Sequence, residues 1–392
     1  MIHHFAVLIG LLLVLITLPG TFELGLLTIA GILPRRRARH PTLAQASPLR
    51  TIAVVIPAHD EERGIVRCVN SVAACVRPAG LQVLTVVVAD NCSDPTAELA
   101  RKAGARVMVR IDDHRRGKGY ALNHAFEILL REGVDAMVVI DADTVSESNL
   151  LVEITRMLES GADGVQARYG VLNPTDSIRT RLMNVALMAF NVLRPRGRDR
   201  LGLSAGILGN GFALTRETLL AVPYDAHSVV EDLEYHLRLV RAGRRIRFVD
   251  ASGVRAEMPV GGRGSETQRT RWEGGRARMI RTQVPALIRD IAGGNLRLFE
   301  PLLDLLLLPL AYHVTLLTGA IILPGPFSRL YGLMALGIVA GHVIAGIIVS
   351  RGTWRDLTII PAIPVYIIWK LILTRRIMTT AQISSTWIRT KR

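Results

Sequence analysis

Cysteine is scarce in this chain, at three residues in 392, and none has the spacing that holds zinc. Cys68 and Cys75 fall two turns apart, roughly 10 Å, on a segment that reads as helix, which is too far for a disulfide. With Cys92 they are expected as reduced thiols on a cytosolic side. Charge is sparse too, at 21% of residues against 49% hydrophobic. A mean hydropathy of +0.32 then excludes both a disordered and a collagen-like chain. Acids are in deficit, 33 against 48 lysines and arginines, leaving a net charge of +15. Such a surplus can mark a nucleic-acid binder, but its placement argues otherwise. Arg35, Arg36, Arg37 and Arg39 follow the first apolar run, and Arg375, Arg376, Arg389, Lys391 and Arg392 follow the last. Basic flanks of this kind mark the cytoplasmic ends of membrane helices, so the expected partner is a membrane and not a nucleic acid.

Long apolar runs occur only near the two ends, leaving roughly 230 residues of ordinary globular composition between them. From Phe5 to Leu33 the only strongly polar residue is Glu23, and the run is long enough to cross about 30 Å of hydrocarbon. Its basic cluster follows the apolar stretch and no small-residue cleavage site stands out, which favours an uncleaved anchor over a signal peptide. Pro19-Gly20 predicts a kink. Leu302–Leu323 and Leu330–Val349 read as two further spans. Leu357–Leu373 carries Pro361, Pro364 and Lys370, and a re-entrant or interfacial placement and a full span are equally compatible with it. Ile280, Val284, Leu287, Ile288 and Ile291 recur at helical spacing with Arg278, Arg281 and Arg289 between them. That stripe suits either the membrane surface or packing on the globular part. The expected organisation is an anchor (1–34), a cytosolic domain (50–275), an amphipathic interface helix (276–300), a transmembrane region (301–374) and a basic tail (375–392).

Within the middle, Thr51–Pro57, Leu84–Asp90, Arg106–Arg110 and Ala136–Asp141 read as strands, and Glu61–Cys75, Asp94–Ala103 and Gly119–Glu132 as helices. Strands alternating with helices predict an α/β domain with a mostly parallel sheet. Ligands of such sheets sit beyond the carboxyl ends of the strands. There the chain places Pro57-Ala-His59-Asp60-Glu61, Asp90-Asn91 and Asp141-Ala-Asp143. Any one acid could simply cap a helix; three strand ends together point to a shared site. Asp141 and Asp143 offer hard oxygens suited to Mg2+ or Mn2+ bound with phosphate, and Lys118, between Gly117 and Gly119, supplies a second cation for a diphosphate. Glu231-Asp232 precedes an expected helix, Leu233–Ala242, so capping accounts for one carboxylate only. In Gln268-Arg-Thr-Arg271-Trp272 an amide, a guanidinium and an indole are spaced to cover a flat polar ligand and its phosphates.

Taken together, Pro57-Ala-His59-Asp60-Glu61, Asp90, Asp141-Ala-Asp143, Glu231-Asp232 and Gln268-x-x-Arg271-Trp272, in this order and spacing, resemble the membrane-bound family 2 glycosyltransferases. That group includes the cellulose, chitin, hyaluronan and poly-N-acetylglucosamine synthases. The resemblance covers about residues 50–285 and implies a nucleotide-diphospho-sugar transferase domain of the GT-A type with transmembrane helices at both ends. It implies that His59, Glu61 and Asp90 line a uridine pocket, that Lys118 touches the diphosphate, and that Asp141 and Asp143 hold the metal bridging it. Asp232 becomes the general base beside Glu231, and Gln268, Arg271 and Trp272 lie over donor and acceptor. Gly209-Asn210-Gly211 falls where the family has a loop near the acceptor. Asp60 stands where the family usually has Asn, and Val230 where it has Thr.

The function so implied is inverting transfer from a UDP-sugar to a growing saccharide at the cytosolic face of the plasma (inner) membrane, with an export partner protein as a possible addition. Transfer of a single sugar to a lipid, a polyprenyl phosphate or diacylglycerol, is the alternative. A non-catalytic scaffold keeping a nucleotide-sugar fold is a third reading, which intact metal, base and donor motifs disfavour.

Overall fold

A computed structural model describes residues 2–34 and 48–382. Arg35, Arg36, Arg37, Arg39, Arg389, Lys391 and Arg392 lie outside the described residues, as do the side chains of Arg375 and Arg376. In chain order the elements begin with α1 (Ile2–Ile32), β1 (Thr51–Ala58), α2 (Ile65–Ala73), β2 (Gln82–Asp90), α3 (Thr96–Lys102), β3 (Arg106–Arg110) and α4 (Lys118–Arg131). There follow β4 (Ala136–Val139), β5 (Thr144–Ser146), α5 (Leu150–Glu159), β6 (Gly164–Val171), α6 (Ile178–Leu187), α7 (Arg194–Arg200), β7 (Phe212–Thr215), α8 (Arg216–Ala221), α9 (Glu231–Arg241) and β8 (Ile246–Ala256). The rest is helical: α10 (Gly262–Ala292), α11 (Phe299–Leu306), α12 (Leu310–Ile322), α13 (Pro326–Val349), α14 (Trp354–Leu357) and α15 (Ile363–Gln382). These fall into two compact units, one of Pro34–Pro174 and Gly202–Val260, the other of Met1–Leu33, Thr175–Leu201 and Gly261–Ser384.

The first unit is built on one eight-stranded sheet in the order β3-β2-β1-β4-β7-β6-β8-β5. β1 runs parallel to β2 and β4, and β2 parallel to β3, as the alternating pattern predicts. β7 then runs antiparallel to β4 and β6, and β5 antiparallel to β8, so the sheet is mixed. Ile52 through Ile56 are wholly buried, as a central strand covered on both faces requires. Pairing of Ala58 with Ala89 and of Val55 with Val139 brings the carboxyl ends of β1, β2 and β4 to one edge, and with them Asp60, Asp90 and Asp141. The expected helix from Glu61 begins only at Ile65, because Asp60 is in the left-handed region at φ 53° and the chain must turn before it can coil. That conformation is tolerated by Asn and Asp above other non-glycine residues, which explains how Asp60 replaces the usual Asn. Cys68 and Cys75 are buried free thiols.

The second unit is helical. α1 continues through Pro19, and a Cβ on Gly20 would stand 2.7 Å from Leu307 Cδ1, so this glycine lets the two segments approach. The apolar stretch expected as one span, Leu302–Leu323, is broken: α11 and α12 meet at 77°. Pro309 lacks an N–H and disfavours helix at Leu308 before it. By length and composition three helices among the described residues can cross a membrane, His3–Ile32, Pro326–Val349 and Trp354–Thr374, or four if the bent pair counts as one. The expected boundary at 275/276 falls inside α10, where Leu287 is buried and Ile288 is exposed.

The lone acid of α1 is buried within the helical unit. Glu23 Oε1 accepts from Arg194 at 2.6 Å and from Arg198 at 3.2 Å, and Asp304 takes the same two guanidiniums at 2.5 and 2.6 Å. Arg198 also pairs with Glu300, and Arg200 donates to the carbonyls of Ala30 and Gly31 at the end of α1. α1, α7 and α11 are thus cross-tied by buried charges that compensate one another, the condition for their burial.

Candidate active site

The site grows from the carboxyl edge of the sheet. After β4 the chain turns through Asp141-Ala142-Asp143, and the turn is supported from beneath by Asn210. Asn210 Oδ1 accepts from the Asp141 N–H at 3.1 Å, and its Nδ2 donates 2.8 Å to Thr144 Oγ1, which in turn donates 3.1 Å to Asp143 Oδ1. Asn210, expected at the acceptor, is wholly buried and commits its side chain to holding the acidic turn. Gln166, wholly buried in the first half of β6 between Val165 and Ala167, completes the support. It donates 2.7 Å to the Asn210 carbonyl and accepts from the Leu208 N–H at 2.8 Å. Sequence reasoning missed Gln166, although an amide flanked by Val165 and Ala167 is the signal of a buried network.

Lys118 opens α4 and pairs with Asp141, while its ammonium also donates 2.5 Å to the Gly209 carbonyl. Gly209 is at φ 78°, and a Cβ there would lie 3.1 Å from Asp232 Oδ2, so the loop touches the first turn of α9. Asp232 accepts from the Leu233 N–H at 2.8 Å. Lys118, Asp141, Glu231 and Asp232 therefore share one electrostatic environment. Burial works against the Lys118 charge, but Asp141, Glu231 and Asp232 outweigh it and hold the ammonium above its ordinary value. Burial pushes Glu231 up, reinforced by the neighbouring Asp232 charge. Burial raises Asp232 as well, against the Leu233 N–H and Lys118. Three carboxylates, Asp141, Glu231 and Asp232, thus act on one ammonium, and Asp143 follows Asp141 by two residues in the same turn, a set of hard oxygens suited to a divalent cation.

Glycine at position 119 is required by a close approach of backbone. A Cβ at Gly119 would be 2.0 Å from the Ala226 carbonyl oxygen, so the loop leading to Glu231 lies directly on the first turn of α4. One residue on, the Tyr120 ring stacks on His227 with centroids 3.9 Å apart.

The expected nucleotide pocket lies along the same edge. His59 Nδ1 bonds the Asp90 carbonyl at 2.7 Å. Asp90 is buried and paired with Arg110 at 2.6 Å, a partner that sequence reasoning did not name. The Glu61 N–H donates 2.8 Å to Thr96 Oγ1. Asp60 accepts from the Ser93 and Asp94 N–H groups at 2.6 and 3.3 Å; burial opposes its charge, but these bonds prevail and its carboxyl lies below the ordinary value. Asp60, Cys92 and Asp94 bring ligand-type atoms within 4.8 Å of one another. They are engaged with the loop itself, Asp94 accepting from Thr96 and Glu62, and burial pushes the Cys92 thiol up to about 11, so no thiolate is on offer there. Gln268, Arg271 and Trp272 are on α10, in the other unit. The Gln268 side chain lies outside the described residues; Arg271 and Trp272 are half-buried.

A family model described as "Glycosyltransferase like family 2" matches residues 48–275. "Probable glycosyltransferase YdaM" of Bacillus subtilis is 27% identical over 58% of this chain and 55% of its own length. "Glycosyltransferase AglD" of Haloferax volcanii is 28% identical over 66% and 42%. The chain spans about half the length of these curated relatives. Among solved structures, "Mannosyltransferase PcManGT from Pyrobaculum calidifontis in complex with GDP-Man and Mn2+" superposes with a TM-score of 0.54 at 16% identity, over 97% of this chain and 98% of that one. At that identity the likeness concerns the fold, which is the GT-A nucleotide-diphospho-sugar transferase fold with apolar helices at both ends of the chain. Since the matched segment is more than half of its length, this chain belongs to the glycosyltransferase-like family 2.

Proposed function

We propose that this protein is a membrane-associated inverting glycosyltransferase that moves a sugar from a nucleotide-diphosphate donor, a UDP-sugar by resemblance, onto a growing saccharide. The observation that carries the reading is the cluster at the sheet edge, where Asp141, Glu231 and Asp232 act on the Lys118 ammonium and Asp143 ends the same acidic turn as Asp141. Asp141 and Asp143 offer the oxygens for Mg2+ or Mn2+, and hard carboxylate oxygens fit such an ion. When bound, the ion would neutralise charge on the donor diphosphate.

The remaining chemistry belongs to the chain's own side chains. Asp232, raised in basicity by its burial, takes the proton from an acceptor hydroxyl as that oxygen bonds to the anomeric carbon. The bond from that carbon to the diphosphate oxygen breaks in the same displacement, the nucleotide diphosphate leaves with the electron pair, and the anomeric configuration inverts. Lys118 and Arg271 stabilise the departing charge. His59, Glu61 and Asp90 hold the base and ribose end; the acceptor role that the resemblance gives Trp272 and Gly209 is kept, while Asn210 acts through the acidic turn it supports. The apolar helices and the basic runs after them support an integral membrane protein with its transferase domain in the cytoplasm.

Transfer of one sugar to a lipid is kept as the second reading because only three helices, or four with the bent pair, can cross a membrane among the described residues. Membranes carrying the protein or Asp232→Asn are supplied with Mg2+ or Mn2+ and a panel of labelled UDP- and GDP-sugars, and the products are separated by solvent. Polymeric label lost in Asp232→Asn is the expected result. Label in the organic phase selects the lipid acceptor, and transfer undiminished in Asp232→Asn refutes the assigned base.

A further inference from the structure

α10 carries two stripes of functional side chains. At 100° per residue, Gln268, Arg271 and Trp272 share one stripe, and Arg269, Glu273 and Arg276 share another roughly 110° around the helix. The second stripe is fastened within the helical unit. Lys370 on α15 is the only charged residue of the run Leu357–Leu373, and it is buried, with its ammonium 2.8 Å from Glu273 Oε1 and 5.0 Å above the Tyr312 ring. Arg269 donates 3.2 Å to the same oxygen and lies 5.1 Å over the Tyr366 ring of α15. Glu273 Oε2 is buried with no hydrogen-bond partner among the described residues, so the polar hold on this carboxylate passes through one oxygen. A turn further on, Arg276 donates to the Asp304 carbonyl and pairs with the Asp304 carboxylate at 3.6 Å.

We propose that Lys370 is a positioning residue of the transfer reaction: through Glu273 it fixes the rotational setting of α10, and so the direction in which Arg271 and Trp272 project. The inference rests on the transferase role given above to the Gln268-x-x-Arg271-Trp272 stripe. Turning α10 by one residue would swing Glu273 through 100° and separate a buried carboxylate from a buried ammonium, which is strongly unfavourable. The pair therefore selects one setting. It also assigns the lone lysine of the last apolar run to a partner inside the protein.

The test uses the full chain in membranes or nanodiscs, as wild type, Lys370→Met, Lys370→Arg and the exchange Glu273→Lys/Lys370→Glu. Each is also made with Trp354, Trp369 and Trp387 replaced by Phe, so that Trp272 alone reports by fluorescence. Lys370→Met is expected to lower kcat about 10- to 100-fold, the range for reacting groups displaced by about 1 Å. Donor KM should hold within about 2-fold and Trp272 emission should shift, with Lys370→Arg and the exchange recovering both kcat and emission. Wild-type kcat and emission in Lys370→Met overturn the proposal. So does a loss that neither Lys370→Arg nor the exchange restores and that follows the thermal midpoint. If the wild type transfers no sugar while Trp272 emission shifts in Lys370→Met and returns in the exchange, the anchor stands and the transferase reading falls.

Discussion

The closest approach in the sheet unit gives the sharpest perturbation. A Cβ placed on Gly119 would meet the Ala226 carbonyl oxygen at 2.0 Å, where about 3.0 Å is the least that real Cβ atoms show. Gly119→Ala therefore forces α4 and the loop before Glu231 apart by about 1 Å, and both neighbours are backbone, so no side chain can swing away. Overpacking of this kind destabilises by about 1–3 kcal/mol. The greater effect falls on catalysis, because Lys118 stands on one side of the contact and Asp232 on the other. A displacement of about 1 Å between reacting groups is worth about 100-fold in rate, or about 2.7 kcal/mol of barrier. The assay is labelled-sugar transfer by the full chain in membranes, with kcat/KM and the thermal midpoint measured on the same preparations. Gly133→Ala is the control. That glycine sits at φ 83° with nothing within 4 Å of an added Cβ, so the alanine adds about 1–2 kcal/mol of backbone strain without moving the site. Gly119→Ala is expected to lose about 100-fold in kcat/KM and Gly133→Ala less than about 3-fold, at similar losses of midpoint. Equal kinetic losses in both, or wild-type kcat/KM in Gly119→Ala, would refute the argument.

Other outcomes follow from the same geometry. Asp232→Asn should lower kcat by about 10²- to 10⁴-fold, the usual range for a general base, while nucleotide binding measured by calorimetry is retained. Burial raises the Glu231 and Asp232 carboxyls in the folded state, so the folded protein keeps protons that the unfolded chain has released. Their stabilising contribution is present below the ordinary carboxylate range and is lost as pH rises through the raised values. Metal-free Asp232→Asn should accordingly melt higher than wild type at neutral pH and not at pH 4, read from thermal midpoints at the two pH values. Chelation by EDTA should abolish transfer, with Mn2+ or Mg2+ restoring it in wild type and not in Asp143→Ala. Arg198→Met leaves Glu23, Glu300 and Asp304 short of a buried counter-charge and should destabilise the helical unit by about 3–5 kcal/mol, read by chemical denaturation in detergent.

The parallel half of the sheet was legible because each strand is a short buried run followed by polar residues, and Asp141, Asp90 and His59 mark where those runs stop. β5 to β8 were not. β5 and β7 have three and four residues, too short to show a period, and their neighbours in the sheet are distant in the chain. Asn210 was half legible. Asn210 was named for its place in the Gly209-Asn210-Gly211 loop and Gln166 was not named at all, and only the fold reveals that Asn210 faces inward beneath the acidic turn. The break between α11 and α12 turned on Pro309, whose effect on Leu308 is local chemistry that a hydropathy reading averages away.

The lone charges of the apolar runs carried more information than their hydropathy indicated. Glu23 is the only strongly polar residue between Phe5 and Leu33, and Lys370 the only charged one between Leu357 and Leu373. A sequence window sees each as an imperfection in a span. In the helical unit each is buried against opposite charge, Glu23 with Arg194 and Arg198 on α7 and Lys370 with Glu273 on α10. An ion in such surroundings persists only when a partner compensates it, so a solitary charge in an apolar run is itself a statement that a partner exists, some 170 residues away for Glu23 and 97 for Lys370. Those partners lie on α7 and on the motif helix α10. The terminal helices are therefore electrostatically engaged with α7 in one case and with the helix that carries Arg271 and Trp272 in the other, and removing either charge should be felt well beyond the apolar run that contains it.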